Sequence, residues 1–230
     1  MKLKLNNSLF FLLFFLLVLA VLIPVSTKSI PSFSGIKPYT VVIDAGHGSP
    51  DGGAVGANGT EEKDLNLKVS LKLQEILESR GVKVIMTRSD DNSICDDNAE
   101  TLHEKKVSDM KKRLGIINNS KADLFLSIHM NSHTTSKPSG LRVFYPRNHP
   151  ESKDVANKIQ DSISKLTKTQ SHAVKTASDT LYLMKNPTPP GVLIECGFIS
   201  NPDEEKLLND DKYQSKIAFA VADAIKELYN

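Results

Sequence analysis

Along the chain, short β-branched runs alternate with longer stretches in which apolar residues recur at mixed or helical spacing. Val41-Val42-Ile43 stops at Asp44, and a β-branched run with no polar face marks a strand buried on both sides. Leu65, Leu67, Val69, Leu71, Leu73, Ile76 and Leu77 mix helical and alternating spacings. Their acidic start at Glu61-Glu62 and their ending, Arg80 then Gly81, favour a helix with a last-turn cation and a C′ glycine. Val82 to Thr87 reads as the next strand, so the first unit is strand, helix, strand and its strands run parallel.

Residues 89–100 are polar and acidic, a loop by composition. Thr101 to Asn119 reads as a helix whose apolar side comes from Val107, Met110, Leu114 and Ile117. Ala122 to His129 is the third strand, Leu141 to Tyr145 a short strand suited to antiparallel pairing, Glu151 to Leu166 a helix, and Leu181 to Met184 another short strand. Gly191 to Phe198 is the last central strand. Asn201 then serves as N-cap ahead of Pro202, with Asp203 and Glu204 in the first turn. Tyr213 to Tyr229 closes the chain as an amphipathic helix with Ile217, Val221, Ala224, Ile225 and Leu228 inward. This succession predicts an α/β fold: a single three-layer domain over 38–230, with a mostly parallel twisted sheet of about six strands and helices on both faces.

The N-terminus departs from this pattern. Lys2 and Lys4 precede an unbroken apolar run from Leu9 to Val25, which is 17 residues long. That exceeds a signal-peptide core of about 7–15 and meets the lower bound of about 17 for a spanning helix. Residues 1–27 are therefore expected to be a signal peptide or a retained membrane anchor, and the Ser- and Pro-containing segment 28–37 a linker. Either form leaves the basic end in the cytoplasm and the rest of the chain extracytoplasmic.

Composition narrows the rest. A formal net charge of +2 without a basic cluster gives no reason to expect a nucleic-acid partner. Cys95 lies in an acidic loop and Cys196 in an apolar strand, a pair too few and too dissimilar for a disulfide framework or a structural zinc site. No phosphate-binding glycine loop, dinucleotide fingerprint or G-x-S-x-G elbow is present.

The chemistry gathers instead at strand ends. His47, His129 and Glu195 each close or interrupt an apolar strand, and the ends of parallel strands share one edge of the sheet. Glu62, with Glu61 as its competitor, opens the helix that follows the first strand. A histidine after a strand is often only a turn residue. A carboxylate between Val192-Leu193-Ile194 and Cys196-Gly197-Phe198 is costly unless it is paired or serves a metal. Two histidines and a glutamate are a standard catalytic zinc set that leaves a position for water, and a second carboxylate can take that water's proton. His133 falls in a Ser/Thr-rich loop, and His103, His149 and His172 in polar surroundings; none gains a role from its context.

With these positions identified, the chain from about Lys37 to Tyr229 resembles the zinc-dependent N-acetylmuramoyl-L-alanine amidases, which cut stem peptides from bacterial peptidoglycan. IDAGHGSPDGGAVG, EKDLNL, ADLFLSIHMNS and LIECGFISNPDEE carry the likeness in order. It implies His47, Glu62 and His129 as ligands of one Zn2+ and Glu195 as the catalytic carboxylate, and it selects Glu62 over Glu61 because the family's ligand directly precedes Lys-Asp. Within the family the chain is most similar to the short germination-specific members of spore formers, which prepare cortex peptidoglycan for muramic-δ-lactam formation. The autoinhibitory helix of some division-associated members has no counterpart between Ser89 and Lys106, which implies a site that is open by default or gated by an activating protein partner. Two rival readings remain at this point: a carboxypeptidase-like zinc peptidase acting on wall stem peptides, and a non-catalytic peptidoglycan-binding protein.

Overall fold

The computed structural model describes residues 39–229; the expected leader, 1–27, and linker, 28–37, lie outside the described residues. Six strands, β1 (Thr40–Ala45), β2 (Lys83–Met86), β3 (Leu124–Asn131), β4 (Arg142–Tyr145), β5 (Lys175–Thr176) and β6 (Gly191–Phe198), form one sheet in the order β2-β1-β3-β6-β4-β5. β2, β1, β3 and β6 are mutually parallel, and β4 is antiparallel to β6, as the pattern of short and long runs predicts. The helices are α1 (Glu62–Ser79), α2 (Leu102–Asn119), α3 (Ser152–Thr167), the single turn α4 (Tyr182–Lys185), α5 (Pro202–Leu208) and α6 (Asp211–Ala224), the last followed by a 3-10 turn, Lys226–Leu228.

Alternation along the strands sorts their side chains into two layers. Val41, Ile43, Leu126, Ile128, Val192 and Ile194 pack against Leu65 and Leu73 of α1, Ile159 of α3, and Ile217 and Val221 of α6. Val42, Phe125 and Leu193, on the opposite face, meet Ile117 of α2 and Leu183 and Met184 of α4. Truncating one of these fully buried leucines to alanine costs about 2–5 kcal/mol. Three long helices cover the first face, whereas the second carries one long helix and a single turn. The site lies on this more thinly covered face.

Helix ends follow the local signals. Gly81, at φ 81°, donates its N–H to Glu78 O at 3.0 Å while Val82 donates to Leu77 O at 3.1 Å, the doubled closure that an αL glycine permits after α1. Thr101 and Glu104 form a reciprocal capping box at α2, and Asn201 accepts from the Asp203 and Glu204 N–H groups at α5.

Three expectations need correction, and one short strand was not expected. Leu181–Met184 is not a strand: Tyr182–Lys185 is a helical turn. A four-residue apolar run has no period to read, and here it buries the adjacent Leu183 and Met184 on one side. β5, two exposed residues, has no apolar signature that would reveal it. Val107 is exposed, and α2 instead buries Asp109 and Arg113 beside Ile117. Leu228 is also exposed rather than inward, because the change from α to 3-10 geometry shifts the phase of the face.

Candidate metal centre

β1 delivers His47 through Gly46, and His47 itself takes the left-handed region, φ 60°. Two buried arginines hold the backbone there. Arg113 donates from Nη1 to Ala45 O at 2.7 Å and from Nη2 to His47 O, and Arg88 donates to Ala45 O at 2.8 Å, Gly46 O at 2.9 Å and Lys63 O at 2.8 Å. Asp44 completes the anchor by accepting from Arg113 Nη1 at 2.8 Å, Thr87 Oγ1 at 2.8 Å and Ser127 Oγ at 2.7 Å. Burial pushes the Asp44 carboxyl upward, but the Arg113 charge and these donors outweigh it and hold it below its ordinary value.

Glu62 is the first residue of α1, and its carboxylate is fixed from several sides. Oε2 accepts Ala54 N–H at 2.9 Å, and Oε1 accepts Met130 N–H at 3.1 Å and the Asn66 amide at 3.3 Å. His129 Nδ1 lies 2.9 Å from Oε1 and His47 Nε2 3.2 Å from Oε2. His47 Nδ1 is 2.9 Å from Asp51 Oδ2, so its Nε2 is the atom turned to the cluster.

One ligand atom from each of His47, Glu62 and His129 lies within 4.8 Å of the other two. Zinc bonds of about 2.0–2.2 Å in a tetrahedron separate ligand atoms by roughly 3.4 Å. The donor set and its spacing therefore fit a divalent metal after small outward movements. The electrostatics point the same way. Burial raises the Glu62 carboxyl, yet the imidazoles on either side carry it well below the carboxylate range; His47 is raised to about 9 against its burial by Asp51 and Glu62. A carboxylate that draws two imidazoles toward their charged form is placed to face a cation.

Two glycines keep this space open. A Cβ on Gly46 would fall on the His129 ring, and one on Gly53, at φ 72°, would lie 2.7 Å from both Glu62 Oε2 and His47 Cδ2.

Glu195 stands directly across from His129 in the β3/β6 register. Its Oε2 is buried with no hydrogen-bond partner, and burial, reinforced by the charge of Glu62, pushes the carboxyl up to about 7. It borders a cavity of about 230 Å³ that His47, Asp51 and His129 share with Lys106 of α2 and Leu181 to Met184 around α4. The sequence profile of the N-acetylmuramoyl-L-alanine amidases matches residues 41–227.

The chain belongs to this amidase family. It is 39% identical over 181 residues to the germination-specific N-acetylmuramoyl-L-alanine amidase of Bacillus subtilis, covering 79% of this chain and 76% of that one. The CwlD amidase of Clostridioides difficile, solved in complex with the GerS lipoprotein, superposes with a TM-score of 0.79 at 44% identity, over 82% of this chain and 97% of that one. The catalytic domain of CwlV from Bacillus (Paenibacillus) polymyxa gives 0.70 at 34% identity, over 83% and 97%. The three-layer fold expected from the sequence is thus that of a known enzyme family, and the chain is a peptidoglycan amide hydrolase.

In the amidase, the four residues singled out at the strand ends and helix start come together, and the other candidates stay apart. Glu61 points to solvent and pairs with Lys63 at 3.1 Å. His133 is held on its loop through Ser200 Oγ at 3.0 Å, His149 bonds Glu151 and Pro187 O, and His103 is exposed. Cys95 and the buried Cys196 are both free thiols. The sequence reading missed the amidase's anchoring set, Asp44, Arg88, Arg113 and Asp51. Asp44 carried a usable signal, since the argument that a carboxylate in an apolar strand must be paired applies to it as well as to Glu195.

Proposed function

We propose that this amidase is zinc-dependent, that His47, Glu62 and His129 hold the ion, and that Glu195 is the catalytic carboxylate cleaving the bond between the lactyl group of N-acetylmuramic acid and L-alanine. The observation carrying this reading is the convergence of three ligand-type atoms within 4.8 Å beside a carboxylate whose Oε2 has no partner in the protein. Zinc bound there supplies Lewis acidity to the scissile carbonyl and lowers the pKa of water toward ~7. Glu195, poised at about 7, takes a proton from the attacking water at Oε2 and returns it to the departing amine. Asp51 fixes the His47 ring through Nδ1, while Asn66 and the Ala54 and Met130 N–H groups keep the Glu62 carboxylate oriented.

The finer setting is part of the same reading. Likeness to the germination-specific enzyme of Bacillus subtilis supports a role in spore cortex peptidoglycan, upstream of muramic-δ-lactam formation. The neighbour solved with a lipoprotein supports an activating protein partner. The hydrophobic segment 1–27 supports export as a signal peptide or anchor, with 28–37 as linker and 38–230 as the catalytic domain acting outside the cytoplasmic membrane. Mass spectrometry of peptidoglycan treated with the protein tests the reaction. Stem peptides with a free L-alanine amino group, lost with a chelator and recovered with zinc, are expected; trimmed stems still attached to muramic acid would mean a peptidase instead.

A further inference from the structure

His129, Glu195 and Arg142 form one transverse row, because His129 is opposite Glu195 across β3/β6 and Glu195 is opposite Arg142 across β6/β4. Directly paired residues project to the same face. The row thus begins at a proposed metal ligand, passes through the proposed catalytic carboxylate, and ends at Arg142, whose backbone lies one strand farther out, about 4.8 Å on.

Its guanidinium has no partner at hydrogen-bond distance. Among the described residues the Arg142 side chain makes no hydrogen bond or ion pair, and its Nε is buried without a partner; its charge acts only at longer range, holding the Glu195 carboxyl lower than burial alone would. Its Cζ lies 5.4 Å from the centroid of the Phe198 ring, a contact that steadies the planar group while leaving its N–H donors free. Beyond it opens a cavity of about 160 Å³ that it shares with His172 and Lys175. An unpaired five-donor fork in basic surroundings is the complement of a carboxylate.

We propose that Arg142 recognises the free carboxylate of the second stem-peptide residue, seating the departing half of the substrate over β4 toward β5. The proposal rests on Glu195 as the group that hands a proton to the leaving L-alanine nitrogen. A stem whose second residue is D-glutamate linked onward through its side-chain carboxyl presents a free α-carboxylate at that position. At about 3.3–3.6 Å per extended residue, that carboxylate lies one and a half residues, roughly 5–6 Å, beyond the leaving nitrogen. This matches the single strand spacing from Glu195 to Arg142. The peptide therefore leaves the cleft across β4, on the side away from His47.

The test uses the full chain loaded with zinc and two N-acetylmuramoyl-peptide substrates that differ only at the second residue, D-glutamate in one and D-isoglutamine, its α-carboxamide, in the other. The wild type is expected to cleave the acid about 10- to 100-fold better in kcat/KM, mainly through KM. Arg142→Gln should bring that ratio close to one by losing far more rate on the acid than on the amide. Equal rates for the wild type on both substrates would overturn the proposal even if the variant failed to fold. So would an equal loss on both substrates in the variant, which would make Arg142 a residue acting through Glu195. Cleavage of neither substrate by the wild type would overturn the underlying amidase mechanism itself, a result readily told apart from equal cleavage of both.

Discussion

Arg113 joins the stability of the amidase to the shape of its site, and Arg113→Met tests that joint. The substitution keeps a long side chain and removes the charge that two carboxylates share, Asp44 at 2.8 Å and Asp109 at 2.7 Å, with side-chain exposures of 1% and 6%. Stranding buried charges in this way costs about 3–5 kcal/mol. At roughly 2–4 °C per kcal/mol for a domain of this size, the melting temperature at pH 7 should fall by roughly 6–20 °C. The pH dependence has a definite sign. In the wild type the Asp44 carboxyl is held below its ordinary 3.8, so its contribution is present above that value and is lost as pH falls through the lowered one. In the variant, burial without Arg113 raises the same carboxyl, and mild acid neutralises it. The deficit measured by thermal unfolding should therefore shrink between pH 7 and about pH 4. A drop of less than about 2 °C at pH 7, or a deficit that does not change with pH, would refute the view that this pair is a paired buried charge rather than a dispensable contact.

Glu195→Gln should lower kcat by about 10²–10⁴ while zinc content stays at the wild-type level; activity within tenfold of wild type would remove Glu195 from the mechanism. For the wild type, a carboxyl raised to about 7 is protonated as pH falls, so the rate should drop roughly tenfold per unit below pH 7, and a flat profile from 5 to 8 would contradict the role. Glu62→Gln should lose both bound zinc, measured by elemental mass spectrometry, and activity, and added zinc should restore only chelator-treated wild type. Gly46→Ala, whose Cβ would fall on the His129 ring, should weaken zinc binding in a competition titration and cost about 1–3 kcal/mol in denaturant unfolding.

What could be read from the sequence was local. The β-branched run before Asp44, the Arg80-Gly81 stop and the Asn201-Pro202 start are each decided within a few residues, and the structure bears each of them out. The metal-ligand candidates were legible because parallel strands bring their ends to one edge by topology alone. Arg113 was not, because a charged residue in a charged helix reads as a solvated face until Asp44, 69 positions earlier, is known to lie beneath it. Leu181 to Met184 failed for a related reason: four apolar residues acquire a conformation only from the sheet they cover. Arg142 was placed correctly on a short strand, yet its neighbourhood with Glu195 exists only through the β4/β6 register.

The position of β6 in the sheet bears on when this amidase becomes able to act. The last strand of the sequence lies in the interior, between β3 and β4, and it alone carries Glu195. The carboxylate of Glu205, just beyond it, accepts the Asn58 N–H at 3.1 Å and so ties down the loop that leads into Glu62. With the roles proposed above, a chain that stops short of Gly191 would have the three residues proposed to hold the metal but neither the proposed proton-transfer group nor the brace behind Glu62. On that reading, hydrolytic competence would arrive only with the portion of the polypeptide that carries β6 and the helix after it.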